Sequence, residues 1–110
     1  MPALYPIHDV NYNSHMIEVR QTEDFRLWLK GLSDIRAAKR IAQRIVRVQS
    51  GLLGDAKFFD GIGELRVDHG PGYRVYFVQR GQTLIILLAG GDKSTQSKDI
   101  KRAIKLAQEL

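Results

Sequence analysis

Residues 63–77 read GELRVDHGPGYRVYF. Two short alternating runs flank Gly70-Pro71-Gly72, the punctuation of a β-hairpin. Successive side chains of a strand point to opposite faces. Leu65 and Val67 therefore face one way, with Glu64, Arg66 and Asp68 opposite. Across the turn, Tyr73, Val75 and Phe77 share one face, and Arg74, Tyr76 and Val78 the other. Each arm has an apolar face for packing and a second face that carries a guanidinium. If Arg66 and Arg74 meet there, they form a cationic patch on a rigid sheet. A phosphate suits such a patch, because a guanidinium offers planar, paired donors and stays charged. The same arginines could equally be paired with Glu64, Asp68 or Asp60 on a solvated face.

Working outward, TLIILLA (83–89) is apolar on both faces, as a central strand is. Strands are thus expected over 63–69, 72–79 and 82–89, with Gly81-Gln82 turning between the last two. GGDKST (90–95) follows, where paired glycines predict a tight turn and bring Lys93 beside the end of the central strand. Lacking the GxxxxGK[ST] order, it is not an NTPase phosphate loop. A last helix is expected over about 96–109, with Ile100, Ala103, Ile104 and Ala107 on one side and Lys98, Lys101, Arg102 and Lys105 mostly on the other.

Upstream, MIEVR (16–20) reads as a short strand. Thr22 is a good N-cap, with Glu23 and Asp24 in the first turn of a helix that ends near Gly31. Ser33 or Asp34 opens a longer helix to about Ser50. Ile35, Ala38, Ile41, Ala42, Ile45 and Val48 make its apolar stripe; Arg36, Lys39, Arg40, Arg44 and Arg47 lie opposite. Residues 51–62 read as a loop. Residues 1–15 show no periodicity and read as an N-terminal arm or leader, leaving one domain over 16–110. The order β-α-α-β-β-β-α describes an α+β fold: an antiparallel meander packed on an N-terminal helical hairpin, with a C-terminal helix.

A chain of 110 residues suffices for one core, and its 44% hydrophobic and 26% charged content is that of a globular domain. The net charge of +5 favours an anionic partner. With no cysteine, disulfides and thiolate chemistry are excluded. The histidines at 8, 15 and 69 lack metal-ligand spacing. No run approaches the length of a membrane helix, and no signal pattern opens the chain. A cytoplasmic protein without metal or cofactor is the expectation.

The element order, the ELR…GPGYRVYF hairpin and the ending LLAGGDKSTQSKDI together resemble the RelE/ParE toxin superfamily, and within it the HigB-like addiction-module killer branch. The resemblance spans about residues 16–110. It implies a RelE-like fold and the toxin of a type II toxin–antitoxin pair, neutralised by a small antitoxin that often carries a helix-turn-helix domain. It also implies a metal-independent, ribosome-dependent endoribonuclease acting on mRNA. The family's phosphate-contacting arginine matches Arg74, the arginine of its LR pair Arg66, and the basic residue after the last strand Lys93. Two lysines of RelE-like members fall instead at Ile62 and Glu64, and a tyrosine of the last helix falls near Asp99.

For such cleavage Arg74, Arg66 and Lys93 are the candidates for charge stabilisation. His69 is the candidate proton carrier, since imidazole ordinarily titrates near neutrality. Tyr76, Arg40 and Arg47 are candidate substrate contacts. The departures at Ile62, Glu64 and Asp99 are what a ParE-like toxin, inhibiting DNA gyrase by protein contact, would show. The arginine stripe at 36, 40, 44 and 47 could belong to a plain nucleic-acid-binding module, or could receive the antitoxin.

Overall fold

The computed structural model describes residues 2–7 and 17–110. His8, His15 and Met16, with the opening of the strand expected at 16, lie outside the described residues. Among the described residues the sheet has six strands: β1 (Leu4–Pro6), β2 (Glu18–Thr22), β3 (Ala56–Phe59), β4 (Ile62–Val67), β5 (Tyr73–Arg80) and β6 (Leu84–Asp92). The described residues also form three α-helices: α1 (Glu23–Lys30), α2 (Ile35–Gln49) and α3 (Gln96–Gln108). Strand order is β1-β2-β6-β5-β4-β3.

The antiparallel meander β4-β5-β6 forms as expected, and the class is α+β with a RelE-like arrangement. The sheet is mixed, however, because β2 joins β6 in parallel, Val19 opposite Ile85. Two strands are additions. Leu4–Pro6 pairs with β2, and Ala56–Phe59, expected as loop, pairs with β4. A two-residue turn links β3 to β4: Phe59 faces Ile62, while Asp60 and Gly61 both take positive φ (51° and 81°). That is the twist a two-residue hairpin needs.

Both faces of the sheet are covered. Leu65, Val67, Tyr73, Val75 and Phe77 pack with Phe25, Ile41, Ile45 and Val48 of α1 and α2. The opposite face, expected to be the open cationic one, buries Ile62, Tyr76, Val78, Ile86 and Leu88 under Ala103, Leu106 and Ala107 of α3. A bulge lets Tyr76 face Ala89 while Phe77 faces Leu87, so Leu88 is the extra residue and turns towards α3.

The helix caps follow the sequence. Thr22 Oγ1 accepts from the Phe25 N–H (3.1 Å), and its hydroxyl donates to the Leu88 carbonyl (2.6 Å), tying α1 to the central strand. Asp34 accepts from the N–H groups of Arg36 and Ala37. The buried stripe of α2 is Ala37, Ile41, Ile45 and Val48. Ile35 is 69% exposed and Ala42 is also exposed, because apolar residues occupy more of this helix's circumference than its contact face.

Gly90 and Gly91 do not turn the chain. They lie inside β6, with positive φ at neither. A Cβ on Gly90 would stand 2.2 Å from the Trp28 ring, and one on Gly91 1.8 Å from Asp99 Oδ2. These glycines let α1 and α3 approach the same strand from opposite sides. No helix among the described residues is long and apolar enough to cross a membrane.

Candidate functional site

The α3 layer covers only part of its face. At its first turn Gln96 Nε2 donates to Glu64 (3.0 Å); beyond, towards the β4–β5 turn, the sheet opens at Arg66 and Arg74, directly opposite each other across the two strands. Like charges so placed repel, and each is answered by its own carboxylate. Asp55 holds Arg66 through Nη2 at 3.0 Å and Nε at 3.2 Å, an exposed pair. Glu64, 2% exposed, holds Arg74 Nη1 at 3.3 Å. Pairing with acids, one alternative open from sequence, is therefore real for both arginines; the Arg66 side chain stays 42% exposed, while that of Arg74 is 12% exposed and reaches the surface only where it lines the cleft. Arg66, Arg74 and Lys93 line one depression of about 300 Å³, together with Asp55, Asp68, the Gly70-Pro71-Gly72 turn and Tyr73. Lys93 makes no ion pair among the described residues. Its stem passes Gly72, where a Cβ would come within 3.9 Å of Cδ.

Lys93 is set by a one-turn 3-10 helix, Lys93–Thr95, capped by Asp92, which accepts from the N–H (2.8 Å) and hydroxyl of Ser94. Those bonds hold the Asp92 carboxyl below its ordinary pKa. The volume is at the small end of ligand-sized clefts. What the cleft offers an anion chemically is one cation without a carboxylate partner among the described residues, Lys93, and two partly neutralised ones, Arg66 and Arg74.

A second depression, about 210 Å³, adjoins the first. Arg40, Gln43, Arg44 and Arg47 of α2 line it, and Val67 and Asp68 belong to both. Arg44 is structural: its guanidinium donates to the carbonyls of Arg66, Leu53 and Asp55, fastening the loop before β3 to α2 and β4, and burial pushes its pKa down. Arg40 and Arg47 are exposed and make no ion pair among the described residues.

Two candidates fall elsewhere. The His69 ring turns towards α2, with Nε2 3.2 Å from Asp34 Oδ2, and does not line the depression. Asp34 in turn sits below its ordinary pKa, chiefly through the Ala37 N–H, with His69 adding to the effect. Tyr76 is fully buried beneath α3, so no substrate reaches it. Burial, and then the charge of Glu64, its cross-strand partner, push its phenol pKa upward. Sequence reading named Glu64, Asp68 and Asp60 as acids that could pair with the arginines, and of these Glu64 does, with Arg74; Asp55, the partner of Arg66, it missed. Alternation placed Glu64 and Asp68 on the right face, whereas Asp55 arrives from a loop that no periodicity locates.

Residues 27–110 match the family model described as Phage derived protein Gp49-like (DUF891). A curated protein of Haemophilus influenzae, described as "Uncharacterized protein", is 54% identical over 95 residues, which is 86% of this chain and 96% of that one. No solved structure matches the chain.

Proposed function

This chain belongs to the Gp49-like family of phage-derived proteins, a family associated with toxin–antitoxin systems, and from that premise we propose that it is the toxin of such a pair. Its action is to cut mRNA on the ribosome and so block translation, until an antitoxin protein covers it. The observation that carries this reading is the convergence of Arg66, Arg74 and Lys93 on one cleft.

Attack of a ribose 2′-oxygen on its own phosphate, the 2′-hydroxyl proton passing to solvent, forms a 2′,3′-cyclic phosphate and breaks the bond to the 5′-oxygen; it places extra negative charge on the phosphate oxygens, and fixed cations aimed there lower the barrier. Arg74, held by buried Glu64, and Arg66, held by Asp55, supply charge that needs no reorganisation. Lys93, unpaired among the described residues, can add charge and give a proton to the departing 5′-oxygen. Arg40 and Arg47, in the adjoining depression, can hold the strand beyond the cut. Where RelE-like members carry two lysines, this chain buries Ile62 and Glu64. The second of these serves Arg74 instead.

The test is primer extension on a reporter mRNA in a translating extract, comparing wild type with Arg66→Ala, Lys93→Ala and Arg74→Ala. Discrete cuts should appear with wild type, disappear when ribosomes are removed, and weaken by about a hundredfold or more in each variant. Arg74→Ala leaves Glu64 buried without its cation, a loss of about 3–5 kcal/mol, so its melting curve must accompany its activity. Arg66 and Lys93 are exposed enough to be replaced without that penalty. Intact mRNA with uninterrupted translation would sink the ribonuclease reading, and supercoiling defects in its place would point to gyrase.

A further inference from the structure

Asp68 is out of place on a surface built to hold phosphates. It is exposed, makes no hydrogen bond or ion pair among the described residues, and stands on the rim shared by the two cationic depressions. On one side of it are Arg66, Arg74 and Lys93; on the other are Arg40 and Arg47. Its position follows from the sheet. Pairing of β3 with β4 stops at Ala56 opposite Leu65, with one further bond from the Arg66 N–H to the Asp55 carbonyl (2.9 Å). The chain at 67–68 is consequently a free edge, reached from the Arg66–Arg74 face and from α2 alike.

A carboxylate there repels a polyanion, which argues against a surface evolved for charge alone. It is well suited, though, to a strand whose successive phosphates occupy the two depressions. The sugar joining those phosphates must cross the rim. A ribose 2′-hydroxyl is a donor at that point; deoxyribose has none. A carboxylate only accepts hydrogen bonds, so it bonds the first, while the second offers nothing to offset the carboxylate's repulsion of the strand's phosphates.

We propose that Asp68 is a specificity-determining residue that accepts a hydrogen bond from the 2′-hydroxyl of a strand spanning both depressions, so that the surface selects single-stranded RNA over DNA. This rests on the reading of the cleft as a phosphate site, and the experiment separates the two. Fluorescence anisotropy would be measured with a labelled oligoribonucleotide and the matching oligodeoxyribonucleotide, their integrity verified on a gel afterwards. The proteins are wild type, Asp68→Asn and Arg66→Ala, with thermal melts as the control for folding.

Wild type should prefer RNA by about tenfold, the discrimination of one hydrogen bond to a charged acceptor. Asp68→Asn should bind DNA more tightly, having lost the repulsion, and its preference should fall towards unity. Arg66→Ala should weaken both ligands alike. Equal wild-type binding of RNA and DNA, or an RNA preference unchanged in Asp68→Asn, overturns the role of Asp68 while leaving the phosphate site standing. Absence of binding to either strand at low salt, or binding indifferent to Arg66→Ala, overturns the phosphate site and the inference with it.

Discussion

Gly90 and Gly91 stand back to back in β6, and what touches each decides what a methyl group there would do. Over Gly90 lies the Trp28 ring, itself packed at a tilt against Phe25 and edge-on against Tyr73 at centroid distances of 5.7 and 6.3 Å. Over Gly91 lies the end of Asp99, which accepts from the Thr95 hydroxyl. A wedged indole cannot retreat, whereas a carboxylate on a rotatable stem can. Gly90→Ala should therefore destabilise by about 1–3 kcal/mol, the usual cost of overpacking, and Gly91→Ala by distinctly less. Urea midpoints of the two variants decide it, and a Gly90→Ala protein as stable as wild type would refute the packing role. From sequence the pair read as a turn, because glycine marks both tight turns and close approaches, and only the approaching side chain distinguishes them. Arg66 and Arg74 were legible for the opposite reason. Period-2 alternation set each on the second face of its own strand and left open whether they met; the register makes them partners.

At the scale of elements, α2 begins at a point where three things meet. Asp34 caps it through the N–H groups of Arg36 and Ala37 and also receives the His69 ring from the β4–β5 turn, the turn that borders the cleft. The Asp34 carboxyl lies below its ordinary value of 3.8, so folding favours its ionised form. The cap's contribution is complete above that ordinary value and is lost as pH falls through the lower, folded one. Acid titration from about pH 5 to about pH 2 should thus lower the protection of the Arg36 and Ala37 amides in wild type, measured relative to the intrinsic exchange rate at each pH. Asp34→Asn, whose amide oxygen still caps but does not titrate, should show much less change across the same range. Equal acid sensitivity in both proteins would mean the cap is not what titrates. Helix ends of this kind were readable from sequence because capping is local. The Asp60-Gly61 turn was equally local: that dipeptide between Phe59 and Ile62 is a hairpin signal, and it would have located β3. The parallel pairing of β2 with β6 was not readable, since it joins Val19 to Ile85 and nothing local marks it.

For the molecule as a whole, the net charge of +5 says that an anion is favoured without saying where it sits. Two outer faces are basic. One is that of α2, with Arg40 and Arg47 in the depression that adjoins the cleft. The other belongs to α3, whose Lys98 and Lys101 line a separate hollow with Ser94, Thr95 and Ser97. Only the first adjoins the cleft proposed to hold phosphate, so on that proposal only the first should carry bound RNA. Counterion release makes that distinction measurable, because each phosphate neutralised on a single strand steepens the fall of log K with log salt by about 0.7. Replacing Arg40 and Arg47 together by alanine should make the slope for an oligoribonucleotide shallower by about 1.4, as well as weakening binding at low salt. The Lys98→Ala/Lys101→Ala protein loses the same total charge and should leave the slope nearly unchanged. If both double variants flatten it equally, the protein binds RNA through diffuse charge rather than along a track. If only the α3 pair does, the strand leaves the cleft on the other side of the sheet, and Arg40 and Arg47 are free for a protein partner.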